Sequence, residues 1–144
     1  MTISPSLCHA DRVISKTQAM GLFLRERAVF SAVFPRAARS SLLVVDRRCL
    51  EYGCGIRNVA DANVSTGRIR VVRRLLDMGE SVFVGVIRHE LGHICDSRID
   101  APEAEARADA IAMMVTGDAI RYDANLVQTT SPSGEWPRPR RLHR

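Results

Sequence analysis

His89-Glu90-Leu91-Gly92-His93 is the stretch of this sequence whose residue types and spacing name a chemistry. Histidines four residues apart share one face of a helix, because four residues come close to a full turn. One metal ion can then take both imidazoles. Glu90, beside the first histidine, can turn toward a water on that metal and act as general base. Two histidines do not complete such a site, since catalytic zinc usually takes three protein ligands and keeps a fourth position for water. Glu105, twelve residues after His93, offers the third ligand from the next helix. Asp109 lies four residues farther on the same face, where it would accept a hydrogen bond from a ligand imidazole and fix its tautomer. Glu103 competes for the third place, but it is out of register with Asp109.

The elements that must position these residues are legible from periodicity. From Asp11 to Phe34 the pattern is helical, with Val13, Thr17, Met20, Leu24 and Ala28 as the stripe and Ile14, Phe23 and Phe30 flanking it. Arg25, Glu26 and Arg27 would face water, and Pro35 ends the helix. Leu42 to Asp46 is an apolar run of strand length, Arg57 to Val64 reads as extended, and Ile69, Val71 and Val72 make another strand. Arg73 to Met78 is a short helical piece closed by Gly79. The central helix is expected from Glu80 or Ser81, with Ser81 as its cap, to about Ser97. Val82, Phe83, Val86, Ile87 and Ile94 form its buried stripe. A further helix runs from about Pro102 to Gly117, with proline early and glycine just past the end.

The pair His89-Glu90-Leu91-Gly92-His93 and Glu105-Ala106-Arg107-Ala108-Asp109 resembles the HExxH…ExxxD signature of the gluzincin metallopeptidases. More narrowly it is similar to the HtpX-like and CAAX-prenyl-endopeptidase branch and to the soluble minigluzincins. Asn63, Gly67, the strand Ile69 to Val72 and Leu75-Leu76 resemble that branch's lead-in to its metal helix. The likeness covers residues 44–118, about half of the chain. Arg88 departs from it, being charged where longer HExxH signatures prefer an uncharged residue. The membrane helices of the prenyl-endopeptidase branch are missing, so its lipidated substrates are not carried over. The resemblance implies an α+β, zincin-like fold. A small, three- to four-stranded, mostly antiparallel sheet would pack on the N-terminal helix, the HExxH helix and the third-ligand helix. It also implies Zn²⁺ held by His89, His93 and Glu105, Glu90 as general base, and hydrolysis of a protein or peptide substrate. That substrate would lie extended on an edge strand, either the 57–64 or the 68–72 segment. Tyr52, Arg121, Tyr122 and His143 are candidate donors to the oxyanion.

Composition sets the outer bounds. The 144 residues suffice for one domain, expected over 1–128, with 129–144 as a disordered Pro/Arg-rich tail. Of the net charge of +5, four units come from Arg138, Arg140, Arg141 and Arg144 in that tail. The body is therefore close to neutral and carries no basic face for nucleic acid. No apolar run approaches a membrane span, and no signal peptide is evident. A cytoplasmic protein with reduced thiols is expected, although Cys49 and Cys54 could pair. Cys95, off the ligand face, is expected in the core. Asp96 is expected either near the ligands or in solvent. The competing function is a zinc-binding interaction module on the same fold with no turnover.

Overall fold

The computed structural model describes residues 12–45, 59–96 and 103–120. Helix α1 spans Lys16–Ser31 and begins later than the periodicity suggests because Ser15 caps it. The Ser15 hydroxyl accepts from the Gln18 N–H at 3.0 Å, and the Gln18 side chain accepts from the Ser15 N–H at 2.8 Å. Two end groups that helix geometry leaves without partners are thereby satisfied. The helix stops short of Pro35, which instead opens a 3₁₀ turn, Pro35–Arg39.

The face that α1 buries is not the expected stripe. Ile14, Ala19, Phe23, Glu26 and Phe30 are buried, whereas Val13, Met20 and Leu24 are 58%, 38% and 43% exposed. Two helical stripes compete here, and the one carrying two phenylalanines removes more apolar area from water. The winning face includes a carboxylate. Glu26 does not face solvent as expected, because the guanidinium of Arg88 meets it inside.

Strands β1 (Ser41–Val45), β2 (Ala60–Asn63) and β3 (Arg68–Val72) form one sheet in the order β1-β3-β2. β2 pairs antiparallel with β3, while β1 pairs parallel with it. The sheet is therefore mixed, not mostly antiparallel. A tight turn at 64–67 forces the β2–β3 hairpin, with the Asn63 side chain accepting from the Thr66 N–H at 3.1 Å. Only the other edge of β3 is then left for β1, which enters alongside it. Leu42, Ile69, Val71 and Ala60 turn one face of the sheet into the core.

A 3₁₀ helix, Arg73–Met78, leads into Gly79 and helix α2, Glu80–Cys95. Gly79, not Ser81, occupies the capping position, and Ser81 falls within the first turn. Phe83, Val86, Ile87, Leu91 and Ile94 are buried, and so are the polar His89 and Glu90. Val82, expected in the buried stripe, is half-buried, and Glu80 and Ser81 at the start of the helix are exposed. Helix α3 spans Ala104–Thr116 and ends at Gly117, whose left-handed φ of 81° suits a residue without a β-carbon. It packs on α2 with Ala108 against Gly92, and Ala108 and Ala112 are both fully buried. No helix among the described residues is long and apolar enough to cross a membrane.

Candidate metal centre

The α2–α3 pair builds the site. At Gly92 the helices approach so closely that a β-carbon would lie 2.3 Å from the Ala108 carbonyl oxygen. Ala108 stands between Glu105 and Asp109, so this contact carries both acids to the histidine face of α2. His89 Nε2 lies 2.8 Å from Glu105 Oε1, His93 Nε2 lies 3.2 Å from the same oxygen, and the two Nε2 atoms are 3.1 Å apart. The imidazoles meet edge to face, with planes at 90°. Zinc bonds of about 2.1 Å at tetrahedral angles put donor atoms about 3.4 Å apart. The observed triangle is slightly tighter, as befits donors drawn together by hydrogen bonds. These residues fit a His₂Glu metal site, and they are the one such cluster among the described residues.

Asp109 stands behind His89, its Oδ1 2.7 Å from Nδ1. With Nδ1–H donating to that carboxylate, Nε2 is the nitrogen turned to the ligand triangle. Without a metal the three groups share protons. Burial pulls the His89 imidazolium down, but Asp109 and Glu105 outweigh it and raise its pKa to about 10. Burial pushes Glu105 up, but hydrogen bonds from His89 and His93 outweigh it and hold the carboxyl at about 2.

Glu90 is 1% exposed, and neither of its carboxylate oxygens has a hydrogen-bond partner. Burial raises it to about 7, against the pull of His89 and His93. An unpartnered buried carboxyl costs a folded protein about 1–3 kcal/mol. Such a group is expected where its free valences serve something other than stability.

Glu103 is not placed to ligate. It is 67% exposed, and its carboxylate faces Arg107 at 3.3 Å. Asp96 is not in solvent: it is buried, and its Oδ2 accepts from Arg107 Nε at 2.9 Å. Arg107 was not singled out by the sequence. Cys95 is in the core, its thiol pushed up to about 11 by burial. β3 is the middle strand and cannot be the substrate edge, whereas β2 is an edge strand among the described residues. Tyr52, Arg121, Tyr122 and His143, Cys49 and Cys54, and the tail 129–144 lie outside the described residues. No family model, no curated protein and no solved structure matches this chain.

Proposed function

We propose that this protein is a zinc-dependent metalloendopeptidase of the HExxH gluzincin type, with a zincin-like catalytic domain similar to those of HtpX-like proteins and minigluzincins. His89, His93 and Glu105 would hold the ion. When bound, Zn²⁺ supplies Lewis acidity, acidifying a water and polarising a substrate carbonyl. The observation that carries the catalytic reading is Glu90, a sealed carboxylate beside the ligand triangle with neither oxygen partnered. A site that only bound metal would gain nothing from it.

The chain's own groups divide the work. Asp109 holds the His89 ring by its Nδ1–H and keeps Nε2 turned to the ligand site. Glu90, beside His89 on α2 and with both carboxylate oxygens unpartnered, would act as the general base. Its carboxylate takes a proton as the water oxygen bonds to the peptide carbonyl carbon. It returns that proton to the amine nitrogen as the carbon–nitrogen bond breaks. The substrate is a protein or peptide segment laid extended along the outer edge of β2, pairing through its backbone.

Glu90→Gln tests this reading. The variant should keep zinc at wild-type stoichiometry and lose cleavage of a peptide library by a factor of about 10² or more. Wild-type cleavage must also stop with a chelator. Zinc bound by the wild type without any chelator-sensitive cleavage would support the non-catalytic zinc module instead.

A further inference from the structure

Arg107 sits on α3 between Glu105 and Asp109. Its guanidinium reaches Asp96, the first residue past the end of α2 and three beyond His93. Nε and Nη2 both meet Asp96 Oδ2, at 2.9 and 2.7 Å, and Nη1 reaches Glu103 at 3.3 Å. Both partners are largely covered, with side chains 18% and 8% exposed. We propose that Arg107 is a positioning residue: its clasp on Asp96 sets the height of α3 against α2 and so holds Glu105 at coordination distance from His89 and His93. The inference rests on the metal-centre reading and assigns that centre a residue outside its ligands.

The argument turns on what each helix contact can resist. Gly92 against Ala108 sets how near the helices come. A glycine surface is smooth, however, and offers little against sliding along the axis. A slip of a single residue moves a helix by about 1.5 Å, whereas metal–ligand distances are held to about 0.2 Å. The His89–Asp109 and His–Glu105 contacts cannot supply the missing constraint alone, because they are what has to be held. A fork donating two N–H groups to one buried carboxylate is directional, and it resists sliding where an apolar contact does not. It also lies beyond His93, at the end of α2 where Glu105 must meet both imidazoles. Glu103, at the capping position just before α3, meets the guanidinium from four residues back.

The test uses the full chain, with Zn²⁺ affinity measured by chelator competition and Co²⁺ bound as a spectroscopic reporter. Arg107→Ala should weaken both ions about 10- to 100-fold and shift the visible Co²⁺ bands, because Glu105 no longer sits at its wild-type distance. Arg107→Lys, which keeps one cationic donor, should fall between the two, and Asp96→Asn should move in the same direction as Arg107→Ala. A merely structural role would lower the melting temperature of the metal-free protein while leaving the folded fraction with wild-type affinity and an unchanged Co²⁺ spectrum. That result overturns the inference and leaves the metal centre standing. If Arg107→Ala does not fold, Arg107→Lys and Asp96→Asn decide by the same two readouts. Failure of the wild type to bind either ion overturns the metal-centre reading, and this inference with it.

Discussion

Arg88 Nε lies 2.8 Å from Glu26 Oε1, joining α1 to α2 one residue before His89. The carboxylate is 5% exposed and the guanidinium 24%, while Asp118 adds a longer contact to Arg88 at 3.7 Å. Removing one member of a buried pair leaves the other charge without compensation, at a cost of 3–5 kcal/mol when both are fully buried, roughly. Arg88 keeps some solvent and Asp118, so Glu26→Ala should cost about 2–3 kcal/mol. Replacing both residues by methionine should recover most of that loss. Urea unfolding of the two singles and the double checks it. A Glu26→Ala protein within about 0.5 kcal/mol of wild type would show the pair to be idle.

The same pair marks how far the sequence can be read. Local signals were sufficient for β1, β3, the 3₁₀ helix before Gly79 and the course of α2, because apolar runs and helical period are properties of neighbouring residues. The register of Glu105 with Asp109 was legible for the same reason, since four residues on a helix share a face. The buried face of α1 was not. A charge at Glu26 argues for solvent unless its partner is known, and that partner lies 62 residues away. The parallel pairing of β1 with β3 is equally non-local. Asp96 gave no hint of Arg107, because a helix end says nothing about which arginine of the next helix will reach it.

Gly92 has no side chain where α3 presses on α2. In Gly92→Ala the new β-carbon would lie 2.3 Å from the Ala108 oxygen, 2.9 Å from its carbonyl carbon and 3.0 Å from its α-carbon. Backbone cannot swing aside as a side chain can, so α3 must move and take Glu105 with it. Alanine would normally favour a helix by about 1 kcal/mol over glycine. The clash should reverse that sign, giving a net loss of about 1–3 kcal/mol and a fall in Zn²⁺ affinity of about tenfold or more. Denaturant unfolding and chelator competition measure the two effects. A variant more stable than wild type with unchanged affinity would mean that the helices are not held this close.

In the proposed metal centre Asp109 would act through His89, whose Nδ1 lies 2.7 Å from its Oδ1. Asp109→Ala removes the acceptor 2.7 Å from Nδ1 and should weaken Zn²⁺ binding about 10- to 100-fold. Asp109→Asn keeps an acceptor oxygen but loses the charge, so its affinity should fall between alanine and wild type. Asp109→Ala also takes away the carboxylate that raises the pKa of buried His89, so it should lower metal-free stability as well, and Zn²⁺ affinity is compared on the folded fraction. Equal affinities for all three proteins would remove Asp109 from the site.

The protonation pattern predicts opposite pH trends with and without metal. In the metal-free protein His89 is raised to about 10 from 6.5, so its stabilisation is complete below pH 6.5 and disappears as pH rises through 10. Glu90 is raised to about 7 from 4.5, so ionising it in its buried place costs stability that grows from pH 4.5 and is complete above 7. Glu105, lowered to about 2 from 4.5, contributes stability above pH 4.5 that is lost only as pH falls through 2. These effects give metal-free stability a decline from mildly acidic to alkaline pH. Zinc requires neutral imidazoles, so its binding releases protons and strengthens as pH rises. The stabilisation added by zinc should therefore widen with pH over the same range. Paired urea unfolding curves, with zinc and with chelator, at about pH 5, 7 and 9 measure that gap. A gap that narrows with pH, or a metal-free stability that rises toward alkaline pH, would contradict the protonation pattern assigned to His89 and Glu90.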